Sequence, residues 1–596
     1  MAQLELTFPP PPAFPTPPPT PPPPTLSPVA RSPATSLAEV VTRLESDPAL
    51  STRRRRDMIS AMRTLSRLAG TTLDAMPASP PSLRQAFEAT SPAIAGLGRG
   101  RWNNIRSLTL AALRHTGERT MARRTRQPLA ANWEDLRLLL PTTHLRAGLS
   151  RLMSFCSAEG IPPQDVTGTT FERFGAALQK DSLARKPRQV HRIACQLWNQ
   201  AAKEITGWPD LVVPVPNASR RYAMFWEDFQ PAFRADAEAF LIRLGGQDPF
   251  ADDYAPSVRP STVEMRRKQF LQIATAVTQS GVPVEQLTSL ATLVLPENAK
   301  QVLRFFLARA GGSPTKYLHQ QAILLKTIAR HWVKAPDDQI HILGAFARNL
   351  AIKKTGMTDK NRARLRQFDN PANVQALLSL PARVLAEVQQ KDDGHRARAL
   401  RVMLALTVEL LIMAPMRIDN LTGLELDRHF VQTRTGRSAT THVVIPAAET
   451  KTGAPYEAEL PAGTAEFLAV YCADYRPRLA STPSRWLFPS GRGEHRSTTP
   501  FATMISEFIL CETGIKMNVH LFRHLAAKLH LEAHPEDIET ARRVLGHSST
   551  TTTLRAYADL KTASAFRRYD DLIASLRGPL ARPGRRLPRS QTGAAA

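Results

Sequence analysis

The sequence predicts a mainly α chain in which tandem small helical modules precede a mixed α+β domain with a small β-sheet. Three observations carry that prediction. Helical periodicity with few β-branched alternations runs from Ser36 to about residue 350. A three-helix pattern recurs within that stretch. Beyond it, two β-type runs in THVVIPAAETKTGAPYEAELP (441–461) flank the turn signal KTGAP, with helix signals on both sides. At 596 residues the chain exceeds a single core, and length alone predicts roughly three to five domains.

Residues 1–35 are proline-rich, and proline supplies no N–H and fixes φ, so an extended, disordered tail is expected there. Structure begins at Ser36, where SLAE has capping-box spacing and Leu37, Val40, Val41 and Leu44 share a helical face. Helices then end in Gly70, Gly160 and Gly281, each suited to a left-handed C-cap. A second helix follows each glycine (SLRQAFEA, TFERFGAALQK, NAKQVLRFFLARA). A third, basic and amphipathic, follows that (RWNNIRSLTLAALRH, RQVHRIACQLWNQA, KYLHQQAILLKTIARHW). The three copies predict helical modules at 36–120, 130–206 and 222–355, and the third helices carry side chains able to meet phosphates and base edges. The run Arg53 to Arg56 reads as an ordinary solvated or phosphate-seeking helix start.

Residues 356–372 are polar and read as a linker. The mixed domain is expected over 369–577, with VMLALTVELLIMAP (402–415) as its buried helix, and 578–596 as a disordered basic tail.

The net charge of +26 is costly in self-repulsion unless a polyanion offsets it, which points first to nucleic acid. An anionic membrane is the weaker reading, because no apolar run approaches the ~20 residues of a spanning helix. MAQLELTF has neither a basic n-region nor an apolar h-region, and the four cysteines lie far apart without CxxC spacing. A reducing, cytoplasmic and nucleoid-associated location is expected, with no disulfide frame.

Several polar residues of the mixed domain are ambiguous singly. Arg417 follows a strongly apolar helix and must be paired or solvated, while Lys451 on the hairpin turn is by itself an ordinary exposed lysine. His520 and Arg523 project from one face of a helix start, and His547 follows Leu-Gly at a helix end. His520, His524, His530 and His534 invite a zinc reading. They lack the glutamate of HExxH and a third ligand at recognisable spacing, so no metal and no cofactor is expected.

Taken in order, Arg417, hairpin Lys451, His520-x-x-Arg523, Leu-Gly-His547 and Tyr557 resemble the tyrosine recombinase (phage integrase) family over about 370–577. The module at 222–355 resembles the family's core-binding domain, and the tandem modules are expected to be SAM-like. The resemblance implies a site-specific recombinase that cleaves and rejoins double-stranded DNA through a 3′-phosphotyrosine, without metal or ATP, for integration or excision of a mobile element. It implies that Arg417 and Arg523 clamp the scissile phosphate and Lys451 protonates the leaving 5′ hydroxyl. His520 and His547 support proton transfer and phosphate binding, and Tyr557 attacks. A homo- or hetero-multimer on DNA, a tetrameric synapse, is implied, with accessory recombinases and no membrane partner.

The chemistry stands on its own physics. In-line attack on a phosphodiester builds negative charge on the non-bridging oxygens, which two guanidinium forks can meet without a metal. A phenol, with pKa near ~10, is a better leaving group than an aliphatic alcohol, so its ester can be resealed. Two other readings use the same residues: a type IB topoisomerase-like relaxing enzyme, and a non-catalytic DNA-binding partner in a multi-recombinase complex. The chain departs from the family pattern at Asn420, where an acidic residue is usual three places after Arg417. It also departs in the ten residues from His547 to Tyr557, one more than usual.

Overall fold

The serine of SLAE caps the first helix, as its spacing predicts. Ser36 Oγ accepts from the Glu39 N–H at 3.4 Å, although the Glu39 carboxylate turns to the Thr35 N–H (2.9 Å). The computed structural model describes residues 34–117, 120–121, 128–216, 222–246, 250, 257–352, 357–435, 438–551, 569–570, 572–573 and 575–576. The predicted tails at 1–35 and 578–596 lie outside them, apart from residues 34 and 35. The fold is mainly helical, and the chain divides into two compact units, Met1–Pro216 and Asn217–Ala596.

The first unit holds two hydrophobic cores, one built from Leu37, Val40, Leu44, Met62, Leu65, Leu83 and Ile105, the other around Trp133, Leu149, Phe174 and Trp198. The predicted glycine ends recur here and in the second unit. Gly70, Gly160 and Gly281 have φ of +66°, +66° and +108°. In each case the next residue returns its N–H to the carbonyl five places back: Thr71 to Ser66 (3.2 Å), Ile161 to Cys156 (2.9 Å), Val282 to Val277 (3.4 Å). Glycine is required because the closure needs left-handed backbone at that position.

In the first of the basic third helices several cations have partners within the protein. In Arg99–His115, Arg106 donates to the Leu183 carbonyl (3.0 Å) and Arg114 to Thr120 Oγ1 (2.9 Å), while His115 meets Asp47 (2.7 Å). Arg84, on Pro80–Ala89, donates to the carbonyls of Gln179 and Ser182 at 2.7 Å. Arg84 and Arg106 thereby tie helices of the first core to the 179–183 segment at the end of the second core's helix Gly168–Lys180, because a guanidinium fork satisfies chain-end carbonyls that no helix serves. The sequence pattern shows the basic residues but not the carbonyls that face them.

The second unit also has two cores. The first gathers Phe233, Phe270, Leu290, Val302 and Leu325; the second, Val384, Val402, Leu406, Phe488, Ile505 and Phe522. The stretch 356–372, expected to be a linker, is helical over Asp359–Leu365, and Met357, Leu365 and Phe368 insert into the second of these cores. Three apolar side chains, one before the helix and two at its end and just beyond, bury a segment whose composition is otherwise polar. Arg396–Met413 is the expected buried helix.

The small sheet has three antiparallel strands in the order β1 (Phe430–Thr435), β2 (Ser438–Ile445), β3 (Tyr456–Leu460). The two predicted runs are β2 and β3, paired from Ile445↔Tyr456 to Thr441↔Leu460. β1 is additional, paired Phe430↔Val443. Thr441, Val443 and Ile445 alternate into the core, so the sheet is backed by the domain and aims the β2–β3 connection outward.

Candidate active site

Four segments, far apart in sequence, meet at one crevice. Met416, Arg417 and Asn420 come from the end of the buried helix and the short helix Ile418–Thr422; Thr450, Thr452 and Tyr456 from the β2–β3 connection; Arg523 from Val519–Ala533; and Leu545 and Gly546 from the end of Ile538–Leu545.

Arg523 is 3 % exposed, and two backbone carbonyls hold it: Nη1 donates to Pro415 (2.7 Å) and Nη2 to Leu545. It therefore ties the segment just before Arg417 to the segment just before His547. Arg417 is half-buried. Among the described residues no carboxylate or carbonyl accepts a hydrogen bond from it, and burial first, then the nearby Arg259, lowers its pKa. A cation that is partly desolvated and unpartnered is primed for an anion.

Lys451 is exposed at the connection, after the single turn Ala447–Glu449 and the buried Thr450. Thr450 Oγ1 donates to the Ala454 carbonyl (2.6 Å), and Gly453 sits at φ +71°. Asn420 Nδ2 donates to the Glu449 carbonyl (3.1 Å). The Glu449 carboxylate is within 3.0 Å of Nε2 of the buried His429, whose Nδ1 accepts from the Glu425 N–H (2.9 Å). With Nδ1 occupied as an acceptor, Nε2 carries the proton and donates to Glu449. Asn420 thus holds the lysine turn, in place of an acid beside Arg417.

His520 lies in the first turn of the Arg523 helix, capped by Asn518 Oδ1 (2.9 Å to the Leu521 N–H), and its ring meets His524 edge-to-face at 4.9 Å. Partial desolvation, then Arg523, Arg417 and Lys451, depress its pKa. His547 follows Gly546 (φ +55°); its N–H donates to the Arg542 carbonyl (3.0 Å) and its carbonyl accepts from Arg542 (2.7 Å). Burial, followed by Arg523, Arg417, His520 and Arg542, lowers the His547 imidazole to about 4. These shared perturbations mean that Arg417, Lys451, His520, Arg523 and His547 all act on one small volume. The sum is a strongly positive concavity in which burial and the neighbouring cations disfavour the charged form of both histidines.

Tyr557 lies outside the described residues. The hydroxyl run before it begins as expected of a cap, with Ser549 Oγ accepting from the Thr551 N–H (3.1 Å) where a helix starts at Thr550. Sequence reasoning missed Tyr456, which lines the crevice and packs on Gly546; burial pushes its phenol up to about 12, against the pull of Arg523. It also missed His429, which has no neighbouring motif. Of the four histidines weighed for zinc, His530 turns to Asp537 (3.2 Å) and to the His534 ring (5.3 Å). No helix among the described residues is long and apolar enough to cross a membrane.

The model of the phage integrase family matches residues 382–564, a span that contains all six candidate residues. The chain is similar to solved structures of a XerH site-specific recombinase bound to difH substrate (11 % identity, 54 % of this chain and 92 % of that one, TM-score 0.28). It is similar also to a lambda integrase dimer bound to a COC′ core site (13 %, 54 % and 95 %, TM-score 0.29). A third is the Tn1549 transposon integrase in complex with transposon right end DNA (15 %, 53 % and 95 %, TM-score 0.31). No curated protein matches the chain. Residues 382–564 are thus a domain of the phage integrase family, the tyrosine recombinases.

Proposed function

We propose that the protein is a site-specific DNA recombinase that cuts and rejoins double-stranded DNA through a 3′-phosphotyrosine, acting in the integration or excision of a mobile element as a multimer on a DNA synapse. The observation that supports this most is the pairing of two guanidiniums on one crevice, Arg523 buried and pinned, Arg417 unpartnered among the described residues, with the Lys451 turn, His520 and His547 around them.

In this reading the scissile phosphate enters between Arg417 and Arg523. The Tyr557 oxygen attacks phosphorus in line, forming the phosphotyrosyl bond as the bond to the 5′ oxygen breaks. The Lys451 ammonium gives its proton to that oxygen, and the phenolic proton passes to solvent or an uncharged histidine. Rejoining is the reverse, with a 5′ hydroxyl attacking and the phenol leaving, so no external energy source enters. His520 and His547, uncharged before DNA arrives, hydrogen-bond the non-bridging oxygens, and the phosphate's negative charge then raises their affinity for protons.

The test is covalent capture from a pool of randomised duplexes. Wild-type protein should form a denaturant-resistant adduct, Y557F should form none while still binding DNA, and Y456F should form it normally. Adducts surviving in Y557F would remove Tyr557 as the nucleophile.

A further inference from the structure

The two peptide carbonyls immediately before Lys451 are each taken by a side chain from a different part of the second unit. The Glu449 carbonyl accepts from Asn420, beside Arg417. The Thr450 carbonyl accepts from Nη2 of Arg259, the N-cap residue of the helix Pro260–Gln279. That helix supplies Phe270, Ile273, Ala274 and Val277 to the other core of the unit, so the contact joins the module before the catalytic domain to the turn that carries the lysine. Arg259 is exposed, and no carboxylate pairs with it among the described residues.

Arg259 sits near other cations of the crevice. It is close enough to Arg417 to disfavour that residue's charge, and Lys451 is one residue from the carbonyl it holds. A phosphate at the crevice would attract all three cations.

We propose, resting on the recombinase reading above, that Arg259 is a positioning residue: through the Thr450 carbonyl it sets the Lys451 turn, so that proton delivery to the leaving 5′ oxygen depends on how the preceding helical module sits on the DNA. Lysine on a free turn samples many rotamers, and misplacing a donor by about 1 Å can cost 10²-fold in rate.

The leaving group tests this. Wild-type protein first selects a cleavable duplex by covalent capture from a randomised pool. That duplex is then made with oxygen or with sulfur as the 5′ bridging atom at the cleaved position. A thiolate leaves without needing a proton, so a defect in proton delivery disappears on the sulfur substrate. K451A should be slowed about 10²-fold or more on oxygen and little on sulfur. R259A should be slowed roughly 10- to 100-fold on oxygen when saturated with the duplex, with near wild-type cleavage on sulfur. R259K, which keeps a donor for the carbonyl, should recover much of the rate. Equal slowing of R259A on both substrates, or full activity on oxygen, overturns the role of Arg259. Failure of wild-type protein to form any adduct overturns the recombinase reading itself.

Discussion

Arg417 and Arg523 line the same crevice but are held in opposite ways: Arg523 is buried and donates to the carbonyls of Pro415 and Leu545, whereas Arg417, among the described residues, donates to none. One guanidinium is part of the architecture and the other waits for a ligand. R523A should cost about 1–3 kcal/mol of stability by leaving buried carbonyls unpaired, in addition to about 10²- to 10³-fold in cleavage. R417A should lose activity by the same order with its thermal midpoint unchanged or raised. Cleavage rates and melting curves of the two variants separate the cases; equal destabilisation would mean that Arg417 also serves the fold.

Asn420 stands where the family usually has an acid, and its amide holds the Glu449 carbonyl at 3.1 Å. Placing the acid there should therefore slow cleavage. N420D sets a carboxylate against that carbonyl, while N420A only removes a hydrogen bond worth about 1 kcal/mol. The expected order of cleavage rate is wild type, then N420A, then N420D. A faster N420D would show that buttressing Arg417 outweighs holding the lysine turn.

Gly546 lies between the Leu545 carbonyl that receives Arg523 and His547, at φ +55°, and a Cβ there would approach the Tyr456 ring to 3.2 Å. G546A should destabilise by about 1–2 kcal/mol from left-handed backbone alone. It should also slow cleavage, because the shift moves His547 and loosens Arg523. Melting and single-turnover cleavage of G546A, with and without Y456A to relieve the contact, test the pair.

Acid should weaken the catalytic domain. Burial lowers His524 to about 4, ahead of the charges of His520, Arg523 and His547, and His547 is lowered to about 4 likewise, both from 6.5. Between those values the unfolded chain binds more protons than the folded one. Stability is therefore fully present above pH ~6.5 and declines as pH falls toward ~4. The thermal midpoint should drop from pH 7.5 to pH 5, and H524N should lessen that drop. DNA should oppose it, because bound phosphate raises the affinity of His520 and His547 for protons, and calorimetry in two buffers should register proton uptake on binding near pH 5.5.

Much of this was legible in the chain. The apolar stripes, the three glycine helix ends and the alternation of β2 follow from short-range periodicity. The order of Arg417, Lys451, His520, Arg523, His547 and Tyr557 carried the resemblance to the tyrosine recombinase family, and with it the expectation of phosphodiester chemistry. Polar residues were read less well: the carbonyl that Arg106 holds was not foreseen, and 356–372 looked like a linker, because composition does not show which carbonyls or cores lie opposite.

What the sequence by itself determined is most of the helices, the β2–β3 hairpin and the kinds of side chain available for phosphodiester chemistry, since all depend on local pattern and residue type. What only the tertiary structure decided is which backbone carbonyls the polar side chains around the crevice hold. Arg523 is spent on Pro415 and Leu545, Asn420 on Glu449, Arg259 on Thr450, and Arg417 on nothing among the described residues. Partners for a guanidinium or an amide are chosen by which backbone ends converge on it, and that convergence spans more than a hundred residues from Pro415 to Arg523.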